Sequence, residues 1–309
     1  RPLLIATGST NQARAVRRPA RNMTAPGTLR FPTRLFDAYV FDLDGTIYLG
    51  DQLLPGAKRT IEELRRREIP IRFLSNHATS DPEQIAAKLT GLGLPTDVAE
   101  IANTVVTTTE WLKANHPEAV VFPISEEPLR RALAAAGIRI SEDPAEIDIV
   151  IASYDRTFDY RKLQIAFDAI WFHRRAFLIQ TNPDAFCPYP GGRGEPDCAA
   201  ITAAIEASTG TTCRQSLGKP DPVMLQTVMA TLPDADIARS VMVGDRLQTD
   251  IRMALDAGMS SAVVLTGEAT ADDVAALPEQ LTPNLVLDRI DRLIPVDGWA
   301  KLAWTASET

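Results

Sequence analysis

The chain has 309 residues, of which 45% are hydrophobic and 23% are charged, and its formal net charge is −8. This composition is typical of a globular protein of one large or two ordinary domains, and the negative charge argues against general affinity for nucleic acid. Three cysteines without a CxxC pair and three scattered histidines argue against a zinc site or a disulfide framework, and no apolar stretch is long enough to span a membrane. We therefore predict a cytoplasmic protein.

Residues 1–36 differ in composition from the rest of the chain. They contain seven arginines, no acidic residue precedes Asp37, and their apolar periodicity is weak. Three interpretations are open: a disordered basic arm, an Arg-rich targeting segment, or upstream sequence before a start at Met23. We favour a basic, disordered tail without a function of its own.

An apolar run over residues 38–41 predicts a buried strand of a parallel sheet. The run is followed by Asp42, by Asp44 and by a turn at Gly45. Because side chains alternate along a strand and ligands bind beyond the carboxyl ends of parallel strands, both carboxylates are expected in one crevice. Two such close acids repel each other unless one is protonated or a cation lies between them, and a hard cation such as Mg2+ prefers oxygen ligands. An ordinary strand end with a turn is the alternative.

A helix over residues 57–67 and a short strand over residues 70–74 are predicted next. The strand is followed by Ser75 and Asn76, and a helix then opens with Pro82 at an early position that tolerates proline. Backbone amides and small donors at this strand end could hold an oxyanion. A capped helix start with nothing bound explains the same residues equally well.

Residues 98–206 are predicted to form a small α/β unit inserted into the larger one. Strands are predicted over 120–124, 147–153 and 176–181, with helices over 129–136 and 160–171. The segment after the last strand contains Asn182, Asp184 and Arg193 and is too rich in Pro and Gly for regular structure. Long loops of this type often serve binding sites, and a plain interdomain linker is the alternative.

Two further motifs follow the insert. Lys219 precedes Pro220 in a rigid turn, which lowers the entropic cost of positioning its side chain, although an isolated surface lysine is the ordinary interpretation. A buried strand over residues 240–243 then leads to Asp245 and Asp250. A third strand end therefore offers carboxylates to the same crevice, and Lys219 would supply positive charge for an anionic substrate.

The alternation of strands and helices predicts an α/β protein with a doubly wound, Rossmann-like parallel sheet core and an inserted α/β cap domain. We predict the core over residues 37–97 and 207–300, the cap over 98–206, and a C-terminal end over 301–309.

Polar motifs follow the predicted strand ends in a fixed order: Asp42-Leu43-Asp44-Gly45-Thr46, Ser75-Asn76, Lys219-Pro220, and Gly244-Asp245 with Asp250. Each motif is modest alone, but the ordered set resembles the haloacid dehalogenase (HAD) superfamily over about residues 37–290. The position of the insert, together with residues 181–184 and 265–267, resembles the NagD-like, 4-nitrophenylphosphatase-type branch (subfamily IIA). His77 departs from the many relatives that have a second Asn there, a difference that bears on substrate choice.

The resemblance implies a Mg2+-dependent phosphatase that hydrolyses small phosphorylated metabolites, of the sugar phosphate, glycerol phosphate or phosphoglycolate type, through an aspartyl-phosphate intermediate. It implies that Asp42 is the nucleophile and that Asp44 is the general acid and base. The implied Mg2+ site consists of Asp42, the main-chain carbonyl of Asp44 and Asp245, together with Asp250, which would orient these ligands or bind through water. The implied phosphate contacts are Ser75, the Asn76 amide and Lys219. The implied substrate-specificity residues are His77, Asn182, Asp184 and Arg193.

Several alternatives stay open at this point. A phosphomutase on the same fold is not excluded by the sequence, whereas a dehalogenase needs no metal and typically lacks an acid at the position of Asp44. A non-enzymatic sugar-phosphate sensor conflicts with the complete set of motif residues. A nicotinamide dehydrogenase would need a GxGxxG after a strand, which we do not find. We expect no nucleic-acid or membrane partner, and a homodimer through the cap is open.

Overall fold

The computed structural model describes residues 29–189 and 193–305. Its strands are β1 (Tyr39–Asp42), β2 (Tyr48–Leu49), β3 (Gln52–Leu53), β4 (Ile71–Ser75), β5 (Ile101–Asn103), β6 (Val120–Ile124), β7 (Arg139–Ile140), β8 (Ile149–Ala152), β9 (Phe177–Gln180), β10 (Phe186–Tyr189), β11 (Arg193–Pro196), β12 (Gln215–Ser216), β13 (Val241–Gly244), β14 (Ser260–Val264) and β15 (Leu285–Leu287). Its α-helices are α1 (Ala57–Arg66), α2 (Pro82–Gly91), α3 (Thr104–Asn115), α4 (Glu127–Ala135), α5 (Tyr160–Phe167), α6 (Cys198–Thr209), α7 (Pro222–Met229), α8 (Arg252–Asp256), α9 (Ala271–Ala275) and α10 (Val296–Trp299). None of the helices in these two ranges combines the length and the apolar character that a bilayer crossing requires.

The larger sheet has the strand order β15-β14-β13-β1-β4-β5, and all of its strands are parallel. Helices cover both faces: Tyr39 and Phe41 pack with residues of α1 and α2, whereas Val40 packs with residues of α7 and α8. This double burial explains why β1 is a continuous apolar run in the sequence. The chain winds outward from β1 in both directions, so a crevice opens beyond the carboxyl ends of β1 and β13.

A second parallel sheet, in the order β12-β9-β8-β6-β7, forms the cap domain inserted into the first unit. Its two faces have separate hydrophobic cores. Phe122 and Val150 pack with α5 and α6 on one face, and Val121 and Ile151 pack with α3 and α4 on the other. The predicted fold class, a doubly wound core with an inserted α/β cap, is confirmed.

The sheet pairing corrects the predicted boundaries of the cap, residues 98–206. The strand β5, inside that range, pairs with β4 in the core sheet, and β12, beyond it, pairs with β9 in the cap sheet. The cap therefore extends from α3 to β12. Strands of two or three residues have no periodicity that could indicate which sheet they join.

The sequence analysis expected the Pro- and Gly-rich segment after β9 to lack regular structure, and this expectation is wrong for part of the segment. Phe186–Tyr189 and Arg193–Pro196 pair as an antiparallel hairpin, β10-β11. A two-stranded ribbon consists of edge strands alone, and edge strands tolerate proline and glycine where central strands do not. The amino-acid composition of this segment therefore gave no indication of the two short strands.

Residues 29–36 and Trp304, near the two limits of the described chain, pack against the core. Residues 1–28 of the predicted tail lie outside the described residues, but Arg30 exchanges main-chain hydrogen bonds of 2.9 and 3.0 Å with Val286 of β15, and Leu35 and Phe36 pack against the core. In the predicted C-terminal end, the ring of Trp304 lies 5.9 Å from that of Trp299. Residues 29–36 therefore belong to the folded core, although their arginines resemble a tail.

Candidate active site

Three carboxylates converge beyond the ends of neighbouring strands. Asp42 is the last residue of β1, Asp245 directly follows β13, and Asp250 lies in the helical turn after it. One oxygen from each of these three side chains lies within 4.8 Å of the others, and their residues are only 8%, 4% and 0% exposed. The parallel order of β1 and β13 produces this convergence, because it brings both carboxyl ends to the same edge of the sheet.

A buried lysine lies between two of these acids. The Nζ of Lys219 donates hydrogen bonds to Oδ1 of Asp42 and, at 2.8 Å, to Oδ1 of Asp250. Burial alone would lower the pKa of Lys219, but the charges of Asp250 and Asp42 outweigh burial and raise it. The ammonium therefore stays protonated and offsets one of the three negative charges.

The remaining carboxylate charge fits a hard divalent cation. Burial and the neighbouring acids raise the pKa of Asp245 above its usual range, and burial also raises that of Asp250. Oδ2 of Asp245 accepts a hydrogen bond of 2.7 Å from the Glu268 amide, whereas its buried Oδ1 has no hydrogen-bond partner among the described residues. Three carboxylates with excess negative charge and one unpaired oxygen are a donor set that could hold a hard divalent cation.

Two glycines allow Asp245 to lie this close to the main chain. A Cβ atom on Gly267 would lie 1.8 Å from Oδ2 of Asp245, and one on Gly45 would lie 2.4 Å from the same atom. Gly45 also has a left-handed φ of 79°, which side chains disfavour. Thr266 fixes the two loops together by donating 2.7 Å to the Gly45 carbonyl. The sequence analysis noted Gly267 within a motif but missed this steric role.

Asp44 lies at the solvent-accessible side of the same crevice. Desolvation by the surrounding protein and the charge of Asp42 raise the pKa of its carboxyl, although Lys88 and a 3.4 Å hydrogen bond from Tyr48 oppose the shift. The Nζ of Lys88 lies 3.9 Å from the centre of the Tyr48 ring. The direction of this shift is the one that general acid–base work requires of a carboxyl, because it brings the proton's release closer to the working pH.

The polar residues at the end of β4 and directly after it include one that contacts Lys219 and the cap, Asn76. The Ser75 hydroxyl accepts a hydrogen bond of 3.1 Å from the His77 amide. The carboxamide of Asn76 contacts the main chain of Lys219 and the carboxylate of Asp184. Burial lowers the pKa of His77, whose ring lies edge-on to Tyr154 at 6.4 Å. Tyr154 was not singled out from the sequence.

The candidate specificity residues of the cap occupy different environments. Asn182 is 1% exposed, and its Nδ2 donates to Asp184 at 2.9 Å and to Asp197 at 3.3 Å. Arg193 lies exposed in β11 of the hairpin. Burial raises the pKa of Cys187 in β10, and the charges of Asp197 and Asp44 add to the shift. Glu195 of β11 accepts a hydrogen bond of 2.5 Å from the Tyr154 hydroxyl, and the Tyr154 ring lies beside that of His77, so the hairpin lies near the polar residues at the end of β4.

Comparison with known proteins identifies the family. Residues 39–139 match the model of haloacid dehalogenase-like hydrolases, and residues 216–293 match a HAD-hydrolase-like model. An acid sugar phosphatase of Staphylococcus aureus is 34% identical over 239 residues, which cover 77% of this chain and 90% of the relative. The chain therefore belongs to the haloacid dehalogenase-like hydrolases.

Comparison with solved structures indicates which type of hydrolase within this family the protein resembles. The 4-nitrophenylphosphatase of Thermotoga maritima superimposes with a TM-score of 0.77 at 31% identity, over 84% of this chain and 96% of that one. NagD from Escherichia coli K-12 shares the fold, with a TM-score of 0.75 at 23% identity over 84% of this chain and 98% of that one. A putative NagD protein superimposes with a TM-score of 0.70 at 32% identity, over 76% of this chain and 90% of that one. Within its family the protein is a NagD-like phosphatase, a phosphoric monoester hydrolase.

Proposed function

We propose that this phosphatase hydrolyses small phosphorylated metabolites, of the sugar phosphate, glycerol phosphate or phosphoglycolate type, with Mg2+ and through an aspartyl phosphate. The name of the Staphylococcus relative, acid sugar phosphatase, supports the substrate class. The observation that carries the proposal is the convergence of three buried carboxylates, two of which accept hydrogen bonds from one buried lysine. Phosphoryl transfer needs mainly positioning and neutralisation of charge, and this arrangement supports both.

In the proposed reaction, a carboxylate oxygen of Asp42 attacks phosphorus. The bond between phosphorus and the leaving oxygen breaks, and an aspartyl phosphate forms. Asp44 gives its proton to the leaving alcohol and then takes one from the water that attacks the intermediate, so that inorganic phosphate is released and Asp42 is restored. The raised pKa of Asp44 supports its role as the proton donor.

The proposed Mg2+ ligands are the carboxylates of Asp42 and Asp245 and the main-chain carbonyl of Asp44. Oδ2 of Asp250 accepts a hydrogen bond of 3.2 Å from the Arg246 amide, and this residue would orient the site or bind through water. The ion would supply positive charge that offsets the phosphate. The unpaired Oδ1 of Asp245 supports this assignment.

The proposed phosphate contacts are the Ser75 hydroxyl, the main-chain amide of Asn76 and the ammonium of Lys219. Among the candidate specificity residues, we propose His77 and Arg193 as substrate contacts. His77 lies next to Tyr154 of the cap, and Arg193 lies exposed in the hairpin, so both positions support contact with the leaving group.

The proposal is tested by measuring phosphate release from 4-nitrophenyl phosphate and from a panel of phosphorylated metabolites. We expect EDTA to abolish turnover and added Mg2+ to restore it, and we expect Asp42→Asn to form no acid-stable phosphoenzyme. Asp51→Asn is the matched control, because Asp51 is an exposed acid of the same region. Full activity in EDTA contradicts the proposed requirement for a metal ion. A phosphoenzyme in Asp42→Asn contradicts the assignment of Asp42 as the nucleophile. Phosphate release without a sugar bisphosphate separates a phosphatase from a mutase.

We also propose that two chains pair through the cap. Trp171 and Phe172, which follow α5, are 53% and 67% exposed, and their apolar surface supports such an interface. Light scattering coupled to gel filtration should give the mass of a dimer, and Phe172→Ser should lower it to that of one chain. A single-chain mass for the unmodified protein at high concentration contradicts this proposal.

A further inference from the structure

We propose that the side chain of Asn76 is a positioning residue for Lys219, and that Asp184 of the cap fixes Asn76 in the orientation this task requires. The inference rests on the proposed function only in that Lys219 binds the phosphoryl group there. It assigns to Asn76 and Asp184 a task other than contact with the substrate.

The carboxamide of Asn76 holds the main chain of Lys219 on both sides of its Cα atom. Oδ1 of Asn76 accepts a hydrogen bond of 2.8 Å from the Lys219 amide, and Nδ2 donates one of 3.0 Å to the Lys219 carbonyl. Two bonds from one rigid amide plane fix the direction in which the lysine side chain leaves the main chain. That side chain is 5% exposed and ends between Asp42 and Asp250.

Asp184 determines which way the carboxamide of Asn76 faces. Oδ2 of Asp184 accepts 2.9 Å hydrogen bonds from Nδ2 of both Asn76 and Asn182. A flipped Asn76 carboxamide would direct its oxygen at the Asp184 carboxylate and at the Lys219 carbonyl, and both would lose their hydrogen bond from Asn76. Both hydrogens of Asn76 Nδ2 are therefore used by the protein, and neither is available to a phosphate.

The surrounding main chain leaves little room for another arrangement. A Cβ atom on Gly218 would lie 2.6 Å from the Thr181 carbonyl and 2.7 Å from Oδ1 of Asn76. Three segments thus meet at this point: the end of β4, the end of β9 in the cap, and the turn that carries Lys219. The cap residue Asp184 is connected to Lys219 through a single side chain, Asn76.

The experiment compares four variants of the full chain with the unmodified protein. Asn76→Ala removes the support of Lys219 and is expected to lower kcat about a hundredfold, because displacement of a catalytic group by about 1 Å has an effect of that size. Asp184→Ala is expected to lower kcat about tenfold, the equivalent of one lost hydrogen bond to a charged group. Asp184→Asn keeps an oxygen acceptor at the same place and is expected to restore most of this loss with little change in KM.

Asn284→Ala is the matched control. Asn284 also supports another segment, since its Oδ1 accepts hydrogen bonds of 2.9 and 3.1 Å from the amide and hydroxyl of Ser261, but at the opposite edge of the sheet. We expect this variant to lower the melting temperature and to leave kcat unchanged. An equal loss of kcat in Asn284→Ala and Asn76→Ala overturns the inference, as does a KM that rises equally in Asp184→Asn and Asp184→Ala.

A second measurement does not depend on turnover. Acetylation of Lys219 by acetic anhydride, followed by mass spectrometry of the digested protein, reports how well the lysine is buried and paired. We expect Asn76→Ala to accelerate this acetylation and Asn284→Ala to leave it unchanged. Acetylation at the unmodified rate in Asn76→Ala overturns the inference. If the unmodified protein releases no phosphate, the proposed function fails, and the acetylation rates still decide whether Asn76 positions Lys219.

Discussion

The substitution Gly267→Ala is expected to disable the acidic site through a single methyl group outside the acidic motifs. The main chain at Gly267 does not have the left-handed φ that favours glycine, so the added side chain introduces no backbone strain. Its Cβ atom would, however, lie 1.8 Å from Oδ2 and 2.4 Å from Cγ of Asp245. The effect of the substitution is therefore confined to the position of that carboxylate.

The size of the effect follows from the distances. A real Cβ contact needs at least 3.0 Å, so the Asp245 carboxylate must move by more than 1 Å. The Gly45 main chain also lies close to this carboxylate and restricts where it can move, and the movement lengthens its 2.7 Å hydrogen bond from the Glu268 amide. A shift of this size is expected to weaken Mg2+ binding about 10- to 100-fold, and overpacking is expected to cost about 1–3 kcal/mol of stability.

The assay is the Mg2+ dependence of 4-nitrophenyl phosphate hydrolysis, with circular dichroism to confirm folding. Gly91→Ala is the matched control, because a Cβ atom at Gly91 would meet nothing within 4 Å and its φ is also outside the left-handed range. We expect the control to keep the original Mg2+ dependence. A Gly267→Ala protein that is folded and has the unmodified Mg2+ dependence refutes the assignment of Asp245 as a metal ligand.

Three further outcomes are expected. Asp44→Asn should lower kcat about 100-fold or more for alkyl phosphates, and much less for 4-nitrophenyl phosphate, whose leaving group needs no proton; equal losses contradict a proton donor. Asp291→Ala should lower the free energy of unfolding in urea by about 3–5 kcal/mol, because the fully buried Asp291 pairs with Arg59 at 2.6 Å. Its control, Glu62→Ala, removes an exposed ion pair and should lower that free energy by less than about 1 kcal/mol. Burial raises the pKa of Cys198 to about 11, which keeps the thiol protonated at pH 8, so iodoacetamide should label it only in unfolded protein; rapid labelling of the folded protein contradicts this.

The core of the fold could be predicted because its signals are local. The strand β1 is buried on both faces, so its residues form an unbroken apolar run that ends at Asp42. Once β1 and β13 are recognised as parallel strands, the meeting of Asp42 with Asp245 follows from topology alone. The haloacid dehalogenase-like family, the inserted cap and the phosphatase class inferred from these motifs are confirmed.

What could not be predicted depends on distant partners or on very short elements. The strands β5 and β12 have three and two residues, too few to show which sheet they join. The side-chain carboxamide of Asn76 forms a hydrogen bond with the main chain of Lys219, 143 positions later in the chain. Nothing near Asn76 in the sequence indicates that partner. The closeness of Gly267 to Asp245 is likewise a property of folded loops.

The chain leaves the cap through β12, which ends at Ser216, and Lys219 follows three positions later. A rotation of the cap domain relative to the core would therefore act directly on the segment that carries the Lys219 ammonium. A chimera that grafts a foreign cap onto this core has to preserve the match between residue 184 of the graft and residue 76 of the host. The inserted domain and the core are therefore not independent modules at this point of the chain.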